Sequence, residues 1–396
     1  MKIKINKSNA IYWILAGVYT WSLLEHNIYV GLHLTFTNYF PSYLSTFFII
    51  SIFIILIILR GERNKKVYFF ITFMIVSILI SAINIHNREY IKTMFGGMSQ
   101  IKQYFIIPLG FLCIKEPDKF LEKMGGFSIV IALIHIYTFM NQGYMNQWNK
   151  TDYMFFGMEM LVPISLIMLR AFQTRKFIYI ICSVIFSFYT MISAHRGVIL
   201  VIAALLVVYF YSFSNAMDKI KGCFLIGTSA IALYLSYKNI LKCVINIMNK
   251  YNLSSRTLEL LLEGTIGSDS GRDIIWETCI ESIKQHVVIG TGIASDRVIL
   301  HAGVGEFYAH NFVLELMVAF GMLLGTFLVG IIIWMGIHVI RMKTLPEWRN
   351  LFLAFYIVSI MTLLTSNSIF VFQPMWIAII VFCILRKKEK FSNARN

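Results

Sequence analysis

Four side chains have the type and setting to do chemistry: Arg196 in SAHRGVIL, Arg272 in SDSGRDIIW, and His310 with Glu315 in EFYAHNFVLELMVAFG. Arg272 falls in the first turn of a predicted helix, where Ser270 and Asp273 fit a capping box. A helix N-terminus offers free N–H groups and a partial positive charge, and an Arg there adds a bidentate donor for phosphate. The plainer alternative is an Arg in water, or one paired with Asp269 or Asp273. Arg196 and His195 occupy a very short connection between two apolar runs, so both lie at the rim of whatever the runs build. An Arg at that depth is held by function or by a partner, or it snorkels to headgroups. His310 can act as a base near neutral pH, or it anchors at an interface. Glu315, five residues on, sits inside an apolar run and is the fallback base. Asn311 can cap or orient a neighbour. Glu159, Lys102 and His135 also stand in apolar runs, either lining a polar cavity or satisfying contacts within a bundle.

Several chemistries have no support. There is no Walker A sequence, no HExxH, no zinc spacing of Cys and His, and no GxSxG elbow. Asp269 and Asp273 have the charge for a divalent cation, but nothing else argues for one, so no metal and no cofactor is expected. The 6 Cys form no CxxC and sit mostly in apolar runs as small hydrophobes. Cys243 and Cys279 have the placement to meet in an oxidising compartment, without requiring it.

The elements that must hold these groups are membrane helices. Of 396 residues, 58% are hydrophobic and only 14% charged, with a mean hydropathy of +0.71. Soluble domains run nearer 45–50% apolar and about 25% charged. The apolar residues form continuous blocks such as SIFIILIILR, unlike the alternation of a β-barrel strand. The expected fold is an all-α multi-span integral membrane protein, a single membrane domain over 1–396. About twelve spans are predicted, near 8–24, 43–59, 67–85, 95–114, 125–140, 154–169, 177–194, 198–213, 222–237, 310–340, 350–368 and 370–385. Gln373 and Pro374 are the expected hinge between the last two.

Lys and Arg crowd both termini and alternate loops, whereas the opposite short loops hold only Arg88, Lys92, Lys150 and Arg196. The positive-inside rule then places both termini in the cytoplasm. It also absorbs most of the +15 net charge, so no nucleic acid is implied. The Phe, Tyr and Trp content fits lipid-facing surfaces and interfacial belts. Residues 238–309 form one long outer loop, and loops of that length are usually functional. Within it, 240–251 carries helical apolar spacing. Ser255 can cap a short helix ending near Gly264, the SDSGRDIIWETCIESIKQH stretch opens another, and GTG at 290–292 marks a turn.

Three segments in order carry a resemblance: Arg-Gly at 196–197, GRDIIWETCIESIKQHVVIGTG in the long loop, and HNFVLELMVAFGMLLG entering the next span. Over roughly residues 190–330 the chain resembles the O-antigen ligase and O-antigen polymerase superfamily of bacterial envelope glycosyltransferases. The resemblance implies a metal-independent inverting transfer from a glycan donor on undecaprenyl pyrophosphate to a glycan acceptor. It places the protein in the bacterial inner membrane with the site on the periplasmic or exterior side. Membrane lipid and a chain-length regulator protein are the other implied partners. Arg196 and Arg272 would contact the pyrophosphate within one outward cavity, and His310 would lie at the acceptor hydroxyl. Ligases often carry a second His just before the HN pair. Here Tyr308 stands instead, in EFYAHN, which tilts the reading toward a polymerase of O-antigen or capsule repeat units. The ligase that moves finished O-antigen to lipid A core is the second reading. A lipid-linked oligosaccharide flippase is the third, and it has no need of a long outer loop with Arg at a helix N-terminus.

Overall fold

The computed structural model describes residues 7–31, 40–141, 152–193, 197–213, 272–304 and 308–394, with a few isolated helical positions between 241 and 263. The predicted span at 222–237, the outer-loop helices before 272, and His195 and Arg196 lie outside the described residues. Every described element is helical. In chain order they are α1 (Lys7–Gly31), α2 (Phe40–Arg60), α3 (Lys65–Ser81), α4 (Ile85–Phe95), α5 (Met98–Ile101) and α6 (Ile107–Gly110). There follow α7 (Pro117–Asn141), α8 (Asp152–Thr174), α9 (Phe177–Ser193), α10 (Gly197–Phe213), α11 (Arg272–Gln285) and α12 (Ser295–Val304). The series ends with α13 (Phe312–Arg341), α14 (Pro346–Thr365) and α15 (Gln373–Asn393).

Four of the described helices are long and apolar enough to cross a membrane: Pro117–Met140, Phe156–Thr174, Phe312–Arg341 and Pro346–Thr365. Three shorter apolar helices, Ser45–Arg60, Phe177–Met191 and Gly197–Phe213, accompany them. Most predicted spans coincide with one helix each, but that at 95–114 does not. Gly97 is extended and ends α4, a π-helical turn fills Lys102–Ile106, and a 3-10 turn follows at Phe111–Cys113. Pro108 has no N–H to give to the carbonyl four residues back, and its ring crowds that carbonyl, so the turn before it widens. Gln373 and Pro374 open α15 rather than forming a hinge. The connection is the 3-10 turn Ile369–Val371, and Pro suits a helix start because its missing donor has no partner there anyway.

The chain divides into two compact units. The first comprises 1–22, 36–120 and 269–396, and the second 23–35 and 121–268. At the centre of the first, α14 is apolar all round, with every residue from Leu351 to Val358 buried, as a helix with no solvent face must be. Gly336 lets α13 come close to it: a Cβ there would stand 2.5 Å from the Tyr356 ring, whose hydroxyl donates to the Ile332 carbonyl at 2.8 Å. Asn64 caps α3 through Lys66 N–H and donates to the Cys383 carbonyl at 3.0 Å, pinning α3 to α15.

The second unit packs α8 against α9 and α10. Buried hydroxyls of Ser165 and Tyr209 meet at 2.7 Å. Phe139 and Phe156 stack with ring centres 4.2 Å apart.

Candidate functional site

The site lies in the first unit, where α13 begins. That helix is two helices. Gly321 has φ 81° and ψ 168°, outside any helical conformation. A Cβ on Gly325 would come within 2.8 Å of the Leu316 carbonyl oxygen. Nine residues of straight helix separate such positions by more than 13 Å at about 1.5 Å per residue, so the chain folds sharply back at the break. Residues 312–320 are thus a short half-helix outside the twenty-residue run 322–341 that is long enough to span.

A break at membrane depth strands backbone groups unless protein satisfies them. The segment after α11 does so. Thr291 N–H donates to the Val318 carbonyl at 2.9 Å, and Gly292 N–H to the Ala319 carbonyl at 3.0 Å. Met322 N–H donates to the Val287 carbonyl at 2.8 Å. Gly290 passes so close that a Cβ would stand 2.4 Å from Gly321 N. The GTG sequence is therefore more than a turn: its glycines let an extended segment plug the opened helix. Asn87 Nδ2 donates to the Thr291 carbonyl, and Ile293 N–H donates to Ser81 Oγ, fixing that segment to α4 and α3.

Over this clasp, Ile275, Cys279 and Ile283 of α11 pack on Leu300 of α12, Ala309, and Val318 of the half-helix. Their i, i+4, i+8 spacing puts them on one face of the helix. Burial beside Asp296 and Glu315 pushes the Cys279 thiol up to about 12, so it behaves as a hydrophobe.

The chain reaches the half-helix through a constrained loop. His310 has φ +52°, the left-handed region. Asn311 is extended and caps the half-helix, its Oδ1 accepting from Val313 N–H at 2.9 Å. Of the two roles open to Asn311 in the sequence, capping or orienting a neighbour, the structure shows the cap. His310 Nδ1 is buried and has no hydrogen-bond partner among the described residues. Its ring lies 4.0 Å from that of Tyr308, and the Arg297 guanidinium sits 5.6 Å from the centre of the Tyr308 ring. Desolvation first, then the positive charges of Arg272 and Arg297, lower the His310 pKa from 6.5 to about 4. The imidazole is neutral at pH 7.

Two carboxylates support this loop. Glu315, 2% exposed, takes a hydrogen bond from Ser368 Oγ on one oxygen and from Ile369 N–H at 2.8 Å on the other. It ties the half-helix to the turn between α14 and α15. Asp296, also 2% exposed, accepts from Ala309 N–H at 3.3 Å, the residue before His310. Burial raises the Asp296 carboxyl, and Arg297 opposes that rise.

Of the predicted residues, His310, Asn311 and Glu315 lie together here, and the charge of Arg272 reaches His310. Arg272 opens α11 as expected. Lys102 lies elsewhere in the same unit, 1% exposed, donating to Thr46 Oγ1 at 3.1 Å. Glu159 belongs to the second unit, where its carboxylate stands 3.5 Å from His135 Nδ1. Arg196 and His195 lie outside the described residues. Sequence reasoning missed Asp296 and Arg297. Their only signal was a pair of opposite charges following GTG in an otherwise weakly charged segment. Among the described residues no cluster of three or more His, Cys, Asp or Glu side chains could hold a metal ion.

A helical membrane protein with a broken helix, a helical cap clasped into the break, and cations facing a neutral imidazole defines the class. Residues 181–329 match the family model described as O-antigen ligase. The match runs from α9 through the cap and the half-helix into the long part of α13. It supports the resemblance to the O-antigen polymerase and ligase superfamily and a glycosyltransferase type of activity. No curated protein matches the chain.

Proposed function

We propose that the protein is a polymerase that joins lipid-linked oligosaccharide repeat units of O-antigen or capsule on the outer side of the bacterial inner membrane. The observation that carries this reading is a buried His310 Nδ1 with no hydrogen-bond partner among the described residues, its ring 4.0 Å from that of Tyr308, over which the Arg297 guanidinium sits. The donor is a glycan on undecaprenyl pyrophosphate. An acceptor hydroxyl oxygen attacks the anomeric carbon, and the new C–O bond forms as the bond to pyrophosphate breaks. The electron pair leaves with the pyrophosphate, and the acceptor proton passes to His310. Attack opposite the leaving group inverts the centre.

Arg272 and Arg297, with Arg196 as the further expected contact, stabilise charge developing on the leaving group without a metal. A bound pyrophosphate also offsets the two positive charges that depress His310, so the imidazole becomes a better base when the donor is present. Glu315 has both oxygens engaged, which suits it to holding the half-helix beneath His310. It remains the fallback proton acceptor.

The family description, O-antigen ligase, favours one second reading, the ligase. A strain lacking the protein separates them. Loss of a polymerase leaves single repeats and no ladder of longer chains. Loss of a ligase leaves long chains stranded on undecaprenyl pyrophosphate, which would overturn the polymerase reading.

A further inference from the structure

A second feature of the first unit has no part in the chemistry above. Between α4, α11 and α12 lies a cleft of about 310 Å3, at the lower end of the roughly 300–1,000 Å3 typical of small-molecule sites. Its mouth carries Asn84, His86, Thr278, Glu281, Gln285 and His286. These are amides, imidazoles, a hydroxyl and one carboxylate, with no Lys or Arg, so the cleft is chemically unlike the Arg-rich surroundings of His310. Val298 and Ile299 give it an apolar patch. His86, Glu281 and Gln285 are exposed, so their polar groups are accessible to a ligand's hydroxyls, while Asn87 donates to the Thr291 carbonyl at 3.0 Å in the cleft wall.

The rim is the second, independent observation. Ile83 and Ile85 flank Asn84 and are 76% and 70% exposed, and Val288 and Ile289, following His286, are 66% and 79% exposed. Apolar side chains bared to that degree around a polar cleft suit contact with lipid. A hydroxyl-rich head in the cleft with an apolar tail over the rim is the arrangement an amphiphile requires.

We infer that this cleft is a carbohydrate subsite for the acceptor, holding sugar of a lipid-linked glycan at the membrane surface while its lipid lies against Ile83, Ile85 and Ile289. The inference rests on the proposed polymerase reading, since a polymerase, unlike the ligase, takes a glycan on undecaprenyl pyrophosphate as both donor and acceptor. The cleft also connects to the reacting end. Ser295 lines it, and the next residue, Asp296, holds the backbone of Ala309 beside His310.

The test uses the full chain in lipid nanodiscs. The probe is the oligosaccharide repeat released from the host's own surface polysaccharide, read by saturation-transfer NMR. Wild-type protein should transfer saturation to the sugar protons. Thr278→Trp, which fills the cleft, and Gln285→Ala, an exposed change that leaves folding alone, should each weaken it. In turnover with the intact lipid-linked repeat, both variants should raise KM about tenfold and leave kcat within about twofold. Unchanged binding and KM in both variants, with wild type polymerising, overturns the cleft and spares the polymerase. Binding lost in the variants while wild type makes no polymer keeps a sugar cleft and overturns the polymerase. Saturation transfer to glycerophospholipid headgroups instead of the oligosaccharide overturns the carbohydrate assignment.

Discussion

The two ends of α13 treat charge in opposite ways. At the His338 end, the Glu389 carboxylate binds both Arg386 and His338, and the Arg386 guanidinium also lies 5.5 Å from the Trp334 ring centre. Anion and cation neutralise each other within one cluster. At the His310 end, the carboxylates of Asp296 and Glu315 are bonded to backbone N–H groups and a hydroxyl. The positive charges of Arg272 and Arg297 act on His310, and Arg297 acts on Asp296 as well. One cluster pairs its carboxylate with cations, and the other anchors its carboxyl groups on backbone N–H groups and a hydroxyl.

The sharpest test of this contrast is catalytic. His310→Ala should lower kcat by about 10²–10⁴-fold, the usual worth of a general base. Arg272→Ala should cost about 10²–10³-fold, with partial recovery in Arg272→Lys because Lys keeps the charge and loses the fork. Single-turnover assays with lipid-linked repeats at matched protein level measure both. Normal turnover in either variant would erase the distinction between the ends.

The clasp gives the next effect. Gly321→Ala forces a Cβ to within 2.6 Å of the Val288 carbonyl oxygen at φ 81°. The loss of stability should be at least about 2 kcal/mol. Gly330 lies in the long part of the same helix with open space around its Cβ position. Gly330→Ala should instead stabilise by up to about 1 kcal/mol. Thermal unfolding in detergent compares the pair, and equal shifts would remove the special role of the break.

Acidification probes the His310 end alone. The neutral imidazole is the active form, so kcat/KM should fall as pH drops through about 4, not through the ordinary 6.5. Arg272→Gln removes one depressing charge and should move that limb upward, part of the way only, because desolvation is the larger cause. The same shift makes the fold less stable as pH falls from 6.5 toward 4, since the unfolded imidazole binds a proton there and the folded one does not. A limb near 6.5 in wild type would contradict the buried, cation-facing site.

The smallest effect belongs to the His338 end. Glu389→Gln should change stability by less than about 1 kcal/mol, because its partners are partly in solvent, and should leave turnover unchanged. A loss of activity comparable to that of Arg272→Ala would show that the two ends are coupled.

Much of this was legible without coordinates. Continuous apolar runs set the helical membrane class, because a bilayer supplies no partner for an unpaired backbone. The helix at Arg272 was legible in the capping-box pattern of Ser270 and Asp273, although Ser270 itself lies outside the described residues. Arg272, His310, Asn311 and Glu315 were each conspicuous as polar groups in or beside apolar sequence. Hydropathy alone could not reveal that residues 312–341 fold back at Gly321. A glycine in an apolar run reads the same whether the helix continues or breaks, and the deciding partner, 287–292, lies some thirty residues away in the chain. Nor could it find Asp296 and Arg297, which owe their importance to burial rather than to type. Tertiary packing alone decides which backbone N–H groups satisfy Asp296 and Glu315. Local sequence fixes a residue's charge, but only the fold fixes its nearest partner.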